Sequence, residues 1–288
     1  MRNIQNFNIV TTFLCLWIAV YLPENLEQYL ACFFILSVGL LHGANDIKII
    51  KKVYSSKNLS FYKTLLLYVF VVLLGTLMFY FVPSLTLLSF VLISGYHFGE
   101  QHFHNIKSDI VFIKQVLFIS YGCSVIFLML HANSEESITI ISQITSLNIG
   151  SNLFLYGLIV SCTLFMICFT YLYNYIKSPV RELFNFTVFF IVFKTATLIW
   201  AFAIYFVIWH SLPSLLDQIK FLSKEVNKVS ILSYVKSSFL YWLVSVVGLF
   251  LFFNFLIKES DLFYAVFFSF LASITFPHVI VMTKIFKH

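Results

Sequence analysis

Histidines dominate the residues able to do chemistry in this 288-residue chain, and they fall in four local patterns. These are His42-Gly43-Ala44-Asn45-Asp46, the stretch from Ser94 to His104 (Ser94-Gly95-Tyr96-His97-Phe98-Gly99-Glu100-Gln101-His102-Phe103-His104), Trp209-His210-Ser211-Leu212-Pro213-Ser214, and Phe276-Pro277-His278. Imidazole is a strong ligand for iron, copper, zinc and nickel, and a nitrogen set without thiolates does not suit an iron–sulfur cluster. The His-Glu-x-x-His helix of zinc proteases is absent. One His-rich stretch with lone histidines elsewhere also fits poorly with the clustered boxes of membrane desaturases and hydroxylases.

Each pattern has a physical reading. On a helix, positions four apart share a face, so Asp46 is expected beside His42. There a carboxylate can hold an imidazole in one tautomer while its other nitrogen binds a metal, or the pair is simply a polar helix end near the headgroups. In the second pattern Gly95 and Gly99 form a small-xxx-small step that lets a neighbouring helix come close, which turns His97 toward a tight interface. Glu100 lies three residues on, His104 seven on, and His102 is rotated away toward the boundary. Pro213 lacks an N–H and restricts the residue before it, so a helix end or bend is expected there, presenting His210 at a terminus. Pro277 is expected to open a break that holds His278. His131 at a loop edge and His288 at the chain end are expected in solvent.

These residues must be positioned by apolar helices. Hydrophobic residues make up 60% of the chain, charged residues only 10%, and the mean hydropathy is +0.94. A soluble domain carries about 25% charged residues. Stretches near the length of about 20 residues needed to cross a bilayer follow one another at roughly 8–22, 28–46, 61–82, 84–104, 110–131, 151–175, 183–210, 234–257 and 261–284. The sequence therefore predicts an all-α, polytopic transmembrane bundle of about 8 to 10 spans, a single integral membrane domain over residues 1–288 and multi-pass, in a bacterial inner membrane. The first apolar run is followed by Pro23-Glu24-Asn25 and no small-residue cleavage site, which predicts an uncleaved span. Cys15, Cys32, Cys123, Cys162 and Cys168 stand singly in apolar stretches and are expected to pack. The net charge of +6 sits mainly in lysines between spans and carries no nucleic-acid footprint. The 36 phenylalanines suit a pocket for a long isoprenoid, and equally suit lipid contact or a biased base composition.

Charge orders the spans. Lys48, Lys51, Lys52, Lys57 and Lys63 place their loop in the cytoplasm with Arg2, and the Glu24/Glu27 turn outside. Alternation then works through Lys177 and Arg181, but a single crossing by residues 183–210 would put Lys220, Lys224, Lys228, Lys236, Lys284 and Lys287 outside. It would also put His210 on the opposite side from His42 and His97. Because Lys194 and Thr195 interrupt that long segment, a broken helix is expected near Lys194, with an entering half-helix and a returning helix that ends at His210.

Taken in order, HGAND (His42 to Asp46), YHFGEQH (Tyr96 to His102), FAIYFVIWHS (Phe202 to Ser211) and the Pro277-His278 pair resemble the bacteriorhodopsin-related-protein (Brp/Blh) family of membrane-bound β-carotene 15,15'-dioxygenases. The resemblance implies an oxygenase that uses iron(II), Fe(2+), and O2 to split the central double bond of a membrane-dissolved β-carotene into two retinal molecules, with a rhodopsin apoprotein as a receiver of the retinal. It implies metal ligands among His42, His97 and His210, completed by His278 or by His102 as a replacement. Asp46 and Glu100 would support the ligands, while Tyr96, Phe98, Tyr205 and Trp209 would line the polyene. Two positions depart from the family pattern: Ser214 stands where a second histidine follows the Trp-His pair, and His102 where an aspartate is common. Two other functions use the same polar core, namely another carotenoid- or lipid-modifying enzyme and a histidine-lined metal or proton transporter.

Overall fold

The structure is a computed structural model that describes residues 2–54, 60–256 and 262–286. Lys57, Lys287 and His288 lie outside the described residues. The described chain is helical, without a strand. In order its helices are α1 (Arg2–Tyr21), α2 (Glu24–Phe34), α3 (Asp46–Val53), α4 (Phe61–Phe81), α5 (Pro83–Phe103), α6 (Val111–Ala132), α7 (Ser134–Thr145), α8 (Asn152–Tyr171), α9 (Pro179–Thr195), α10 (Leu198–Ala203), α11 (Leu212–Ser223), α12 (Lys228–Leu256) and α13 (Phe263–Ile285). Two π-helical segments interrupt this pattern, Ile35–Gly39 after α2 and Ile204–Ser211 between α10 and α11.

Among the described residues six helices are long and apolar enough to cross a membrane: Phe61–Phe81, Val111–Ala132, Asn152–Tyr171, Leu198–Ser223, Lys228–Asn254 and Phe263–Ile285. The expected count of eight to ten spans is not reached. The short helix α2 ends in a π segment, α9 has 17 residues, and α5 spends its last two turns on His97, Glu100, Gln101 and His102. The Asn6–Tyr21 part of α1 is apolar but shorter.

Two compact units make up the chain. The first gathers Met1–Ile35, Ser94–Ile138 and Ile149–Pro213. In it the step at Gly95 and Gly99 meets α6 backbone to backbone. A Cβ at Gly99 would land on the carbonyl of Phe118, and one at Gly122 on the backbone of Gly95. That approach is possible only without side chains, and it buries the His97 face of α5.

The long segment around Lys194 is broken two residues further on, where Ala196 and Thr197 are extended. Side chains take up the backbone groups this break releases: Asn133 donates to the Phe193 carbonyl (3.0 Å), and the Leu198 N–H donates to the Glu136 carboxylate (2.7 Å). Thr197 donates its hydroxyl to Glu27 at 2.5 Å. A helix start with a carboxylate on its first N–H also satisfies the positive end of the helix dipole. The returning helix does not end at His210. It runs on to Ser223, with Pro213 in the first turn of α11. The wide π turn just before Pro213 leaves room for its ring and needs no N–H from it, so the proline is absorbed without a stop.

The second unit gathers Leu36–Ile93, Thr139–Asn148 and Ser214–His288. Here α4 packs on α13 at Gly75, where an added Cβ would press on Phe276 and the Cα of Ser273. Ile49 of α3 joins Val281, Met282 and Ile285 of α13 in an apolar cluster. The expected break at Pro277 is also absent: α13 continues through it, and His278 lies buried within the helix. Much of α4 and α12 is exposed apolar surface, as in helices that face lipid.

Candidate metal centre

In the first unit the histidines of α5 and of the second π segment meet. The rings of His97 and His210 lie 4.8 Å apart between centroids at 78°, and both residues are 1% exposed. The His210 Nδ1–H donates to Oε1 of Gln101, 2.9 Å away. Phe98 lies against His210 at 4.6 Å, and Phe206 stacks on it at 5.7 Å and 24°. Tyr205 packs on Phe98 and shares a hydrogen bond with Tyr121. The Trp209 indole donates to Thr12 Oγ1 (2.9 Å) and meets Phe189 edge-on, which fixes α1 to the π segment. A π turn adds a residue to the helical circuit and rotates the side chains that follow, a device often found at functional sites.

In the second unit His42 and His278 form a matching pair, with centroids 4.7 Å apart at 90°. The first π segment prepares it. Its widened turn leaves carbonyls for other donors: Gly39 O accepts from the His42 Nδ1–H, and Leu36 O accepts from the Trp242 indole at 2.6 Å. Residues 42 to 45 form turns and not the helical face expected of HGAND, so Asp46 opens α3 as a new helix. Its carboxylate consequently accepts from the His278 Nδ1–H at 3.0 Å, and the predicted support of His42 becomes support of His278. The Tyr68 hydroxyl donates to the same carboxylate at 2.8 Å. Gly43 lies beside His278, where an added Cβ would be in ordinary contact with the ring at 3.5 Å. Asn45 bonds the Tyr234 carbonyl at 3.1 Å, while the Tyr234 hydroxyl meets the His42 carbonyl at 3.1 Å and Gln218 at 2.7 Å.

The remaining candidates have other partners. Glu100 accepts from the Tyr96 hydroxyl at 3.0 Å. His102 lies 2.6 Å from the Glu182 carboxylate and stacks on Tyr121 at 4.8 Å, with Asn185 completing the Glu182 contact at 3.0 Å. Ser214 is fully buried, and its hydroxyl accepts from Gln218 at 3.2 Å. His131, expected in solvent, is half-buried at the end of α6. The sequence singled out neither Gln101, although it stands four residues after His97, nor Tyr68, whose role depends on the packing of α4 against α3. The five cysteines are free.

The donor set fits a metal. In three histidines a bond at Nδ1 fixes the tautomer that carries its lone pair on Nε2, the arrangement typical of metal-ligating imidazoles. With metal–nitrogen bonds of about 2.1 Å, two imidazoles on one ion have ring centres roughly 4.6 to 5.3 Å apart, and both pairs match that spacing. Three buried histidines of this set could bind a metal ion.

An all-helical chain with membrane-length spans and buried, oriented histidines has the character of an integral membrane metalloprotein. The family model described as beta-carotene 15,15'-dioxygenase matches residues 33–286, and the chain belongs to that family. No curated protein and no solved structure matches the chain. Membership indicates a dioxygenase that acts on a carotene with O2.

Proposed function

We propose that the chain cleaves β-carotene at its central double bond with O2, giving two molecules of retinal, and that it does so at iron(II) held by histidines drawn from His42, His97, His210 and His278. The observation that carries this reading is the pair of right-angled histidine contacts, His97 with His210 and His42 with His278, each spaced as ligands of one ion are. The bound ion would supply the binding and activation of O2. The protein's own part is orientation and exclusion of water. Gly39, Gln101 and Asp46 hold three imidazoles by their Nδ1 atoms. We assign Tyr96, Phe98, Tyr205 and Trp209 to the polyene, joined by Phe206, whose ring faces His210. A polyene held in register against these walls presents one bond to the ion, so proximity selects the cleavage position. His102 is left out of the ligand set because its ring is committed to Glu182 and Tyr121. We place the protein in a bacterial inner membrane, with a rhodopsin apoprotein as one receiver of the retinal.

Expression in a bacterium that accumulates β-carotene tests this. The colour is expected to fade as retinal accumulates. Fading with a different carotenoid product would point to a modifying enzyme instead, and unchanged pigment from well-expressed protein would overturn the cleavage reading.

A further inference from the structure

The second unit carries a groove of about 350 Å3 bounded by α3, α4 and α13, separate in its lining from the four histidines. Its walls are apolar, made by Ile50, Val53, Leu67, Val71, Ile280 and Val281. Two wall hydroxyls are already used: Thr64 donates to the Ser60 carbonyl at 3.0 Å and Tyr68 to Asp46 at 2.8 Å. Tyr54, Pro277 and two ammonium groups, Lys63 and Lys284, complete the lining, and both lysines are exposed. They lie at one end of the groove. Gly75 of α4 packs against Ser273 and Phe276 of α13, while Lys63, Thr64 and Leu67 line the groove together with Ile280, Val281 and Lys284, so the start of α4 and the end of α13 are neighbours. Nearby lysines have other partners. Lys52 donates to the Phe221 and Leu222 carbonyls at 2.6 and 2.9 Å, and Lys51 sits over the Phe61 ring.

A cationic mouth opening on an apolar slot between membrane-length helices is complementary to an amphiphile with an anionic head. The eight helical steps from Lys63 to Val71 give the slot a depth of about 12 Å. Its volume is at the low end of the range for small-molecule sites, roughly 300–1,000 Å3. That accommodates part of one acyl chain and is too short for a whole carotenoid. We propose that this groove binds an anionic phospholipid of the surrounding bilayer, one acyl chain lying in the slot and the phosphate between Lys63 and Lys284. Charge complementarity favours this occupant, because a polyene hydrocarbon has nothing to offer two ammonium groups, whereas basic residues at a membrane surface attract anionic headgroups.

Thermal unfolding of the full chain in neutral detergent, with phosphatidylglycerol or phosphatidylcholine added, tests the proposal. Phosphatidylglycerol is expected to raise the midpoint by several degrees and phosphatidylcholine by much less, since a ligand that binds only the folded state stabilises it. K63Q/K284Q is expected to lose most of the difference, and so is I280W, which fills the slot at an exposed position. Equal shifts by the two lipids, or a full phosphatidylglycerol shift retained in either folded variant, overturn the proposal. Neither outcome bears on carotene cleavage, so the two readings stand or fall separately.

Discussion

The Asp46 carboxylate lies 3.0 Å from Nδ1 of His278, a residue 232 positions away in the chain, and both are almost fully buried. A carboxylate on Nδ1 raises the basicity of the imidazole and fixes which nitrogen faces a ligand, and loss of such a partner typically lowers metal affinity about 10–100-fold. D46A is therefore expected to bind iron(II) in that range more weakly, as read by titration of the purified protein with a competing chelator. Y68F, which removes only the hydroxyl that holds Asp46, is expected to weaken binding less. Unchanged affinity in D46A would remove the carboxylate from the site.

Gly99 and Gly122 carry the closest backbone approach in the first unit, where an added methyl would meet main-chain atoms that cannot swing aside. G99A and G122A are each expected to destabilise the chain by about 1–3 kcal/mol or more, the usual cost of overpacking. The control is Gly248 in α12, where an added Cβ would have nothing within 4 Å. There alanine is expected to be neutral or to gain up to about 1 kcal/mol through helix propensity. Thermal unfolding of the three variants in one detergent checks the contrast.

Glu136 at the helix break supplies a pH prediction. Burial holds its carboxyl above the ordinary 4.5, the Leu198 N–H works against that, and the nearby Glu24 and Glu27 add to the rise. A carboxyl raised in this way binds its proton more tightly in the folded than in the unfolded chain. Its stabilising effect is complete below the unfolded value and disappears as pH climbs through the folded one. Relative to E136Q, the native midpoint is expected to fall as pH rises from about 4.5 toward neutrality. A difference that stays flat across that window would show the carboxyl to be unperturbed.

The break after Lys194 also predicts a topology. A reporter fused after Lys228 is expected to read cytoplasmic, because the break returns the chain and places Lys220, Lys224 and Lys228 on the positive side. A periplasmic signal would restore a single crossing and separate His210 from the cytoplasmic ends of the other histidine helices.

Much of this was legible in the sequence because its causes are local. Apolar runs announce helices, Gly95 and Gly99 announce a close contact, and Lys194 with Thr195 inside a long segment announces a break, found at Ala196 and Thr197. What the sequence concealed depends on hydrogen bonding that a linear pattern does not record. The two π segments carry no sequence signature here, yet they carry Pro213 without a stop and free the Gly39 carbonyl for His42. A proline rule accordingly predicted an end or bend at Pro213 and a break at Pro277, where the helices continue. Helical spacing paired Asp46 with His42, but the turns at residues 42 to 45 reset the phase and sent the carboxylate to His278. The Glu182 partner of His102 lies 80 residues away, beyond any motif.

The metal content of the purified chain tests the iron reading most directly. Bound iron is expected in the native protein, and H97A and H278A are each expected to lose a large part of it, since each removes a ligand. Full iron retained in both variants would contradict that reading, as would a native protein that binds no iron on reconstitution.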